Sequence, residues 1–162
     1  MSAKHYRERI TNVLSQMWET QTGNIENISV VMAGCIAGGG LVHLFGSGHS
    51  VLPVQDMFPR YGSYPGFRPL MDTRLMWTNV IGSGGAKGLL WLERKEGYAA
   101  ILFENEPIRS GDVMVVFSHG GLNAPGIEVL LEPKKRGLTT AAITSLDNYR
   151  KRDPTHSSVK KL

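Results

Sequence analysis

The chain has 162 residues, enough for one domain with a real core and too few for two ordinary ones. Apolar residues make up 41% and charged residues 20%, which excludes the composition of a disordered chain without choosing a fold class. The formal net charge of +4 favours anionic partners. Much of the excess, however, lies in Arg150, Lys151, Arg152, Lys160 and Lys161, a basic tail that reads as a solvated terminus. No aromatic residues interleave with it, so no nucleic-acid partner is expected. Cys35 is the sole cysteine and has no internal disulfide partner, while Lys4, Arg7, Glu8 and Arg9 stand where a signal sequence would be apolar, so a cytoplasmic location is expected. The segment from Ile28 to Phe45 is broken by glycines, and no apolar run approaches the roughly 20 residues of a membrane helix, so no membrane partner is expected.

From Tyr6 to Trp18, the residues Ile10, Val13, Leu14, Met17 and Trp18 fall on one helix face. A second apolar segment, Ile25 to Ala37, has similar spacing and stops at Gly38-Gly39-Gly40, so N-terminal helices are expected over 1–38. Leu41 to Phe45 reads as a buried strand that ends in Gly46-Ser47-Gly48-His49-Ser50. Val51 to Phe58 has helical content, after which Pro59, Gly62, Pro65, Gly66 and Pro69 predict an irregular connection. Lys87 to Phe103 predicts one helix with Leu89, Leu90, Leu92, Tyr98, Ala99 and Leu102 at its apolar positions. After a turn at Arg109 to Asp112, Val113 to Phe117 is apolar without alternation, the pattern of a strand buried on both faces. Ser118 to Asn123 follows, then a helix from about Pro125 to Arg136 and a strand from Thr139 to Thr144. Strand, loop, helix, strand is the crossover unit of an α/β protein. One domain over 1–162 is expected, with the sheet core in 39–162.

The two strand-to-loop turns resemble each other. In open parallel sheets, ligands bind beyond the carboxyl ends of the strands. Each turn offers glycines for close approach, hydroxyls and backbone N–H groups, a combination that suits a phosphate or another small anion. Neither is a nucleotide motif: Gly46-Ser47-Gly48 lacks the third glycine of a dinucleotide fingerprint, and no lysine follows. Taken singly, each also reads as a tight turn; taken together, they favour an anion site.

Phe45 to Ser50 fits a strand running into Gly-Ser-Gly-x-Ser, and Val115 to Asn123 fits in outline a second strand running into Ser-x-Ser-Gly-x-Thr. At these residues, and at Gly137 to Ser145, the chain resembles the sugar isomerase (SIS) domain family. His49, the Arg109 to Asp112 turn, Asn123 and His156 to Lys161 look like a subgroup of bacterial SIS proteins likened to phosphoheptose isomerases. The resemblance implies a three-layer, flavodoxin-like α/β sandwich with a parallel sheet of four to five strands, preceded by N-terminal helices. It also implies a homodimer or higher homo-oligomer, and a phosphorylated sugar bound at Gly46, Ser47, Gly48, Ser50, Ser118, Gly121 and Asn123. Three departures stand out. Gly120 replaces a hydroxyl residue, Pro133 lies within the helix after the second turn, and the chain stops at Leu162, where the family continues into a further helix, strand and helix. A C-terminally shortened domain lacking its last strand is therefore expected.

Interconversion of an aldose and a ketose needs a base to move a proton between adjacent carbons and an acid to open the ring. Glu128, about one turn into the helix after the second turn, is the candidate base, or alternatively a helix-face carboxylate. His49 and His119, inside the turns, are candidates for acid, ligand contact or turn cap. His156, before Ser157-Ser158 in the basic segment, reads as part of the solvated tail, or alternatively as part of a segment that closes over a site. The histidines lack metal-ligand spacing and Cys35 is isolated, so no metal and no cofactor are expected.

Overall fold

The computed structural model describes residues 2–57, 60–82 and 84–162. The chain divides after Gly34 into two units. Residues before the division lie in α1 (Ala3–Ala37), one continuous helix where two were expected. Between the two apolar segments stand one glycine and no proline, so nothing there removes a backbone donor, and the Thr20 and Thr22 hydroxyls are accommodated by donating to the carbonyls of Gln16 and Trp18. No residue of α1 is buried, and Trp18 is 65% exposed. The helix stops where its glycines predict: Gly39 has φ +81, and Gly39 and Gly40 donate to Ile36 and Cys35. No helix among the described residues is long and apolar enough to cross a membrane.

The second unit holds β1 (Val42–Gly46), a 3-10 turn at Gly48–Val51, α2 (Leu52–Asp56), β2 (Phe67–Leu70), α3 (Ala86–Leu92), α4 (Tyr98–Phe103), β3 (Val113–Ser118), α5 (Ala124–Lys135), β4 (Thr139–Thr144) and α6 (Leu146–Lys151). The four strands form a parallel sheet in the order β2-β1-β3-β4. The fold is α/β with a parallel sheet, as expected. β1 is buried throughout and β3 over its first four residues, which accounts for their unbroken apolar runs. Phe45, Met114, Val116, Leu89, Ile127 and Val129 join β1, β3, α3 and α5 in one core.

In this unit β2 and the segment of α3 and α4 differ from the sequence reading. β2 forms inside the segment expected to be irregular; it is an edge strand, where the missing N–H of Pro69 is tolerated. The end of the expected helix at Phe58, and Pro59, lie outside the described residues. The expected helix over Lys87 to Phe103 is two helices, separated at Gly97, whose φ of +87 no helix interior adopts. Pro133 falls in the last turn of α5, so the helix ends rather than kinks there: Arg136 donates to Glu132 and Pro133, and Leu138 to Pro133.

Candidate functional site

The chain passes from β1 outward to β2, then returns past β1 to β3, so the strand order reverses between β1 and β3. In such sheets this switch point is where ligands bind. Gly46 is in register with Phe117, and so Ser47 and Ser118 leave neighbouring strands at nearly the same level. The topology thereby sets the two turns side by side.

In the first turn, Gly46 closes β1 so tightly that a Cβ there would sit 2.0 Å from the Ser50 carbonyl oxygen. Gly48 has φ +58 and lies against the Trp77 indole nitrogen and the Glu93 carboxylate. Ser50 donates its backbone N–H to the Ser47 carbonyl, which tightens the turn. His49 is exposed, with its ring centroid 5.3 Å from that of Trp77. The Ser47 hydroxyl donates to Glu93 Oε1 at 2.6 Å, and Glu93 is only 7% exposed.

The second turn is built differently. Gly121, at φ +68, donates to the Ser118 hydroxyl at 3.1 Å. Gly120 has open space around it. His119 is exposed and its carbonyl accepts from Asn148. Asn123 is the N-cap of α5, yet its side chain makes no capping bond; Pro125 in the first helical turn presets the helix. The tail expected to be solvated instead folds across this turn. Thr155 donates to the Leu122 carbonyl, Leu162 donates its N–H to Gly121, and the Leu162 side chain is buried beside Gly126.

Among the described residues, Glu128 hydrogen-bonds no residue of either turn. Its carboxylate accepts from Gly97 N at 2.5 Å and Ala99 N at 3.1 Å, satisfying two amides that the first turn of α4 leaves open. Its histidine neighbour is neither His49 nor His119 but His156, whose Nε2 stands 3.4 Å from Glu128 and 3.8 Å from Glu96. The His156 side chain is 7% exposed, which corrects the solvated reading. Ser157 bonds Glu96 through both its N–H and its hydroxyl, and these bonds hold the Glu96 carboxyl below its usual range. A cleft of about 340 Å3 lies over this cluster, lined in part by Gly97, Ala100, Glu128, Lys135 and His156. Glu128→Ala should lower stability by about 1–2 kcal/mol, the cost of losing a helix cap, and Glu128→Gln by less because one acceptor oxygen remains. Urea denaturation midpoints read this directly.

Sequence reasoning missed Glu93 and Trp77 as neighbours of these features, and of its two readings of His156 preferred the solvated one. For Glu93 a signal was present: with Leu89 and Leu92 it falls at i, i+3 and i+4, on the covered side of α3 and its cap. Among the described residues, no group of three or more His, Cys, Asp or Glu is placed to hold a metal ion.

The family model for the SIS domain matches residues 5–145. The chain belongs to the SIS domain family. A UPF0309 protein of Oceanobacillus iheyensis is 30% identical over 155 residues, covering 96% of this chain and 61% of that protein. A UPF0309 protein of Listeria innocua is 31% identical over 158 residues, covering 98% of this chain and 62% of its own. This SIS chain therefore spans about three fifths of the length of these curated relatives. The phosphoheptose isomerase structure from Neisseria gonorrhoeae superposes with a TM-score of 0.64 at 20% identity, over 91% of this chain and 75% of that one, so the two share a fold.

Proposed function

We propose that this SIS domain binds a phosphorylated sugar across its two turns. The observation that carries the reading is the adjacency of the turns at the β1–β3 switch point, where hydroxyls, the open Gly120 and the start of a 12-residue helix meet. Family membership supports the same class of ligand. Aldose–ketose interconversion is the activity this ligand suggests, although Glu128, the expected base, is bonded to the Gly97 and Ala99 amides and stands beside His156 rather than His49 or His119. A non-catalytic sugar-phosphate sensor is the second reading, and it is favoured by the engagement of Glu128 with the amides of α4. The partner is a second copy of the chain packed on the apolar side of α1, where Ile10, Val13, Leu14 and Trp18 are all exposed.

A thermal-shift titration tests the binding reading, with ribose 5-phosphate, glucose 6-phosphate and sedoheptulose 7-phosphate set against inorganic phosphate and the free sugars. At a hundredfold excess over Kd, a bound ligand adds about 2.7 kcal/mol, several degrees for a domain of this size. A cooperative melt that no compound shifts would sink it. Turnover of the bound sugar phosphate separates enzyme from sensor. Gly120→Ser restores a hydroxyl where nothing lies within 4 Å, so stability should change by less than about 0.5 kcal/mol while phosphate binds about tenfold tighter.

A further inference from the structure

The second turn is already occupied in part, and by the chain itself. From Asp153 to Leu162 the chain runs back across this turn as a strap held at two points. At the first, Ser157 bonds the Glu96 carboxylate through its N–H at 2.8 Å and through its hydroxyl, and His156 stands 3.4 Å from Glu128. At the second, Leu162 donates its N–H to the Gly121 carbonyl at 3.0 Å and buries its side chain beside Gly126 in the first turn of α5. A Cβ built on Gly121 would lie 2.8 Å from the Leu162 oxygen and 3.1 Å from the Thr144 hydroxyl, so the strap and Thr144 meet at one edge of the turn. The seat is imperfect. Thr144, in register with Ser118 at the end of β4, has a buried hydroxyl with no hydrogen-bond partner among the described residues. A buried hydroxyl left unpaired carries a free-energy cost that an acceptor would remove. The strap therefore satisfies the Gly121 carbonyl and strands Thr144, whereas an anionic ligand at this edge would take the Thr144 proton and release Gly121 to water.

We propose that the strap is a displaceable plug that competes with the ligand for the second turn, and that Thr144 becomes a ligand donor when the plug leaves. The inference rests on the sugar-phosphate reading above and adds to it an autoinhibited state, of which the seated strap is the closed form. The bonds from Ser157 to Glu96 set how much of the chain is closed, because a ligand that binds only the open form has its affinity reduced by the fraction open.

Hydrogen exchange of the full chain, with and without the three sugar phosphates named above, reads the strap directly. The Ser157 and Leu162 amides should be protected in the free chain and exchange about threefold faster or more once a sugar phosphate is bound. Calorimetric titration with the same compounds reads the competition. Glu96→Ala removes both bonds to Ser157 and should tighten the sugar phosphate about threefold or more, with Ser157→Ala moving it the same way should the first variant fail to fold. Thr144→Val deletes the stranded hydroxyl, so the sugar phosphate should bind about tenfold more weakly, the factor one hydrogen bond commands, while the melting point of the free chain holds or rises. Weaker binding by an equally stable chain is beyond what a folding defect produces. Slower strap exchange on binding would make the strap a lid that closes on the ligand, and unchanged exchange would make it a bystander. Either result overturns the plug while the sugar-phosphate reading stands, and so does Glu96→Ala binding no tighter than the wild type. Unchanged affinity in Thr144→Val overturns the role of Thr144. Sugar-phosphate binding by Glu96→Ala where the wild type shows none supports the plug, and binding by neither overturns both readings.

Discussion

Replacing Asp112 by alanine should lower folding stability by about 3–5 kcal/mol, the range for removing one partner of a buried, hydrogen-bonded charge. Asp112 is 2% exposed, and its carboxylate is the hub between β1 and β3. It accepts from the Leu41 and Arg109 backbone amides, each at 2.9 Å, and from His43 Nε2 at 2.9 Å. His43 is fully buried inside the otherwise apolar β1, and its Nδ1 already lacks a partner among the described residues. Alanine would remove the acceptor from three donors, of which His43 is fully buried and has no water to replace it. Asp112→Asn keeps one acceptor oxygen and should lose about half as much. Burial alone would raise the Asp112 carboxyl, but the hydrogen bonds from His43, Leu41 and Arg109 outweigh it and hold the group below its ordinary value of 3.8. Its contribution is therefore complete above the ordinary carboxylate range and is lost as the pH falls through the depressed native value. Urea midpoints measured from neutral to acid pH check both points. The wild type should lose stability over that acid range more steeply than Asp112→Ala, and equal midpoints at neutral pH would refute the hub.

That hub also marks where the sequence stops being legible. β1, β3, β4 and both turns could be read because each is a local pattern, an apolar run closed by glycine or serine, and the sheet needed no more than those patterns. The His43–Asp112 pair spans 69 positions, and nothing local connects a histidine in a strand with an aspartate in a turn. β2 escaped notice because Gly66 and Pro69 are breakers everywhere except at a sheet edge, and edge status is a property of the assembled sheet. Gly97 split the expected helix because its left-handed backbone serves the amides that Glu128 satisfies from another element. The same cross-element geometry decided the candidate site. The turns stood where expected, whereas Glu93 and His156 gained their neighbours only once α3 and the C-terminal segment had packed.

Gly46→Ala should have the other large effect, at about 3 kcal/mol or more, the upper end for forced overpacking. The added Cβ would lie 2.0 Å from the Ser50 oxygen and 2.6 Å from the Ser50 carbonyl carbon. Both are backbone atoms, so no rotamer change relieves the contact, and the first turn must move off the end of β1. That displacement carries Ser47 away from Glu93 and separates the two turns, so any ligand response of the wild type should vanish along with the lost stability. Gly120→Ala serves as the control: it is a glycine in the other turn with nothing within 4 Å of the added atom, so its melt should stay within about 0.5 kcal/mol of the wild type. Thermal melts of both variants, with and without sugar phosphate, separate a tight backbone approach from glycine as mere loop composition. If Gly46→Ala melts like Gly120→Ala, the first turn does not hold the close geometry on which the paired site depends.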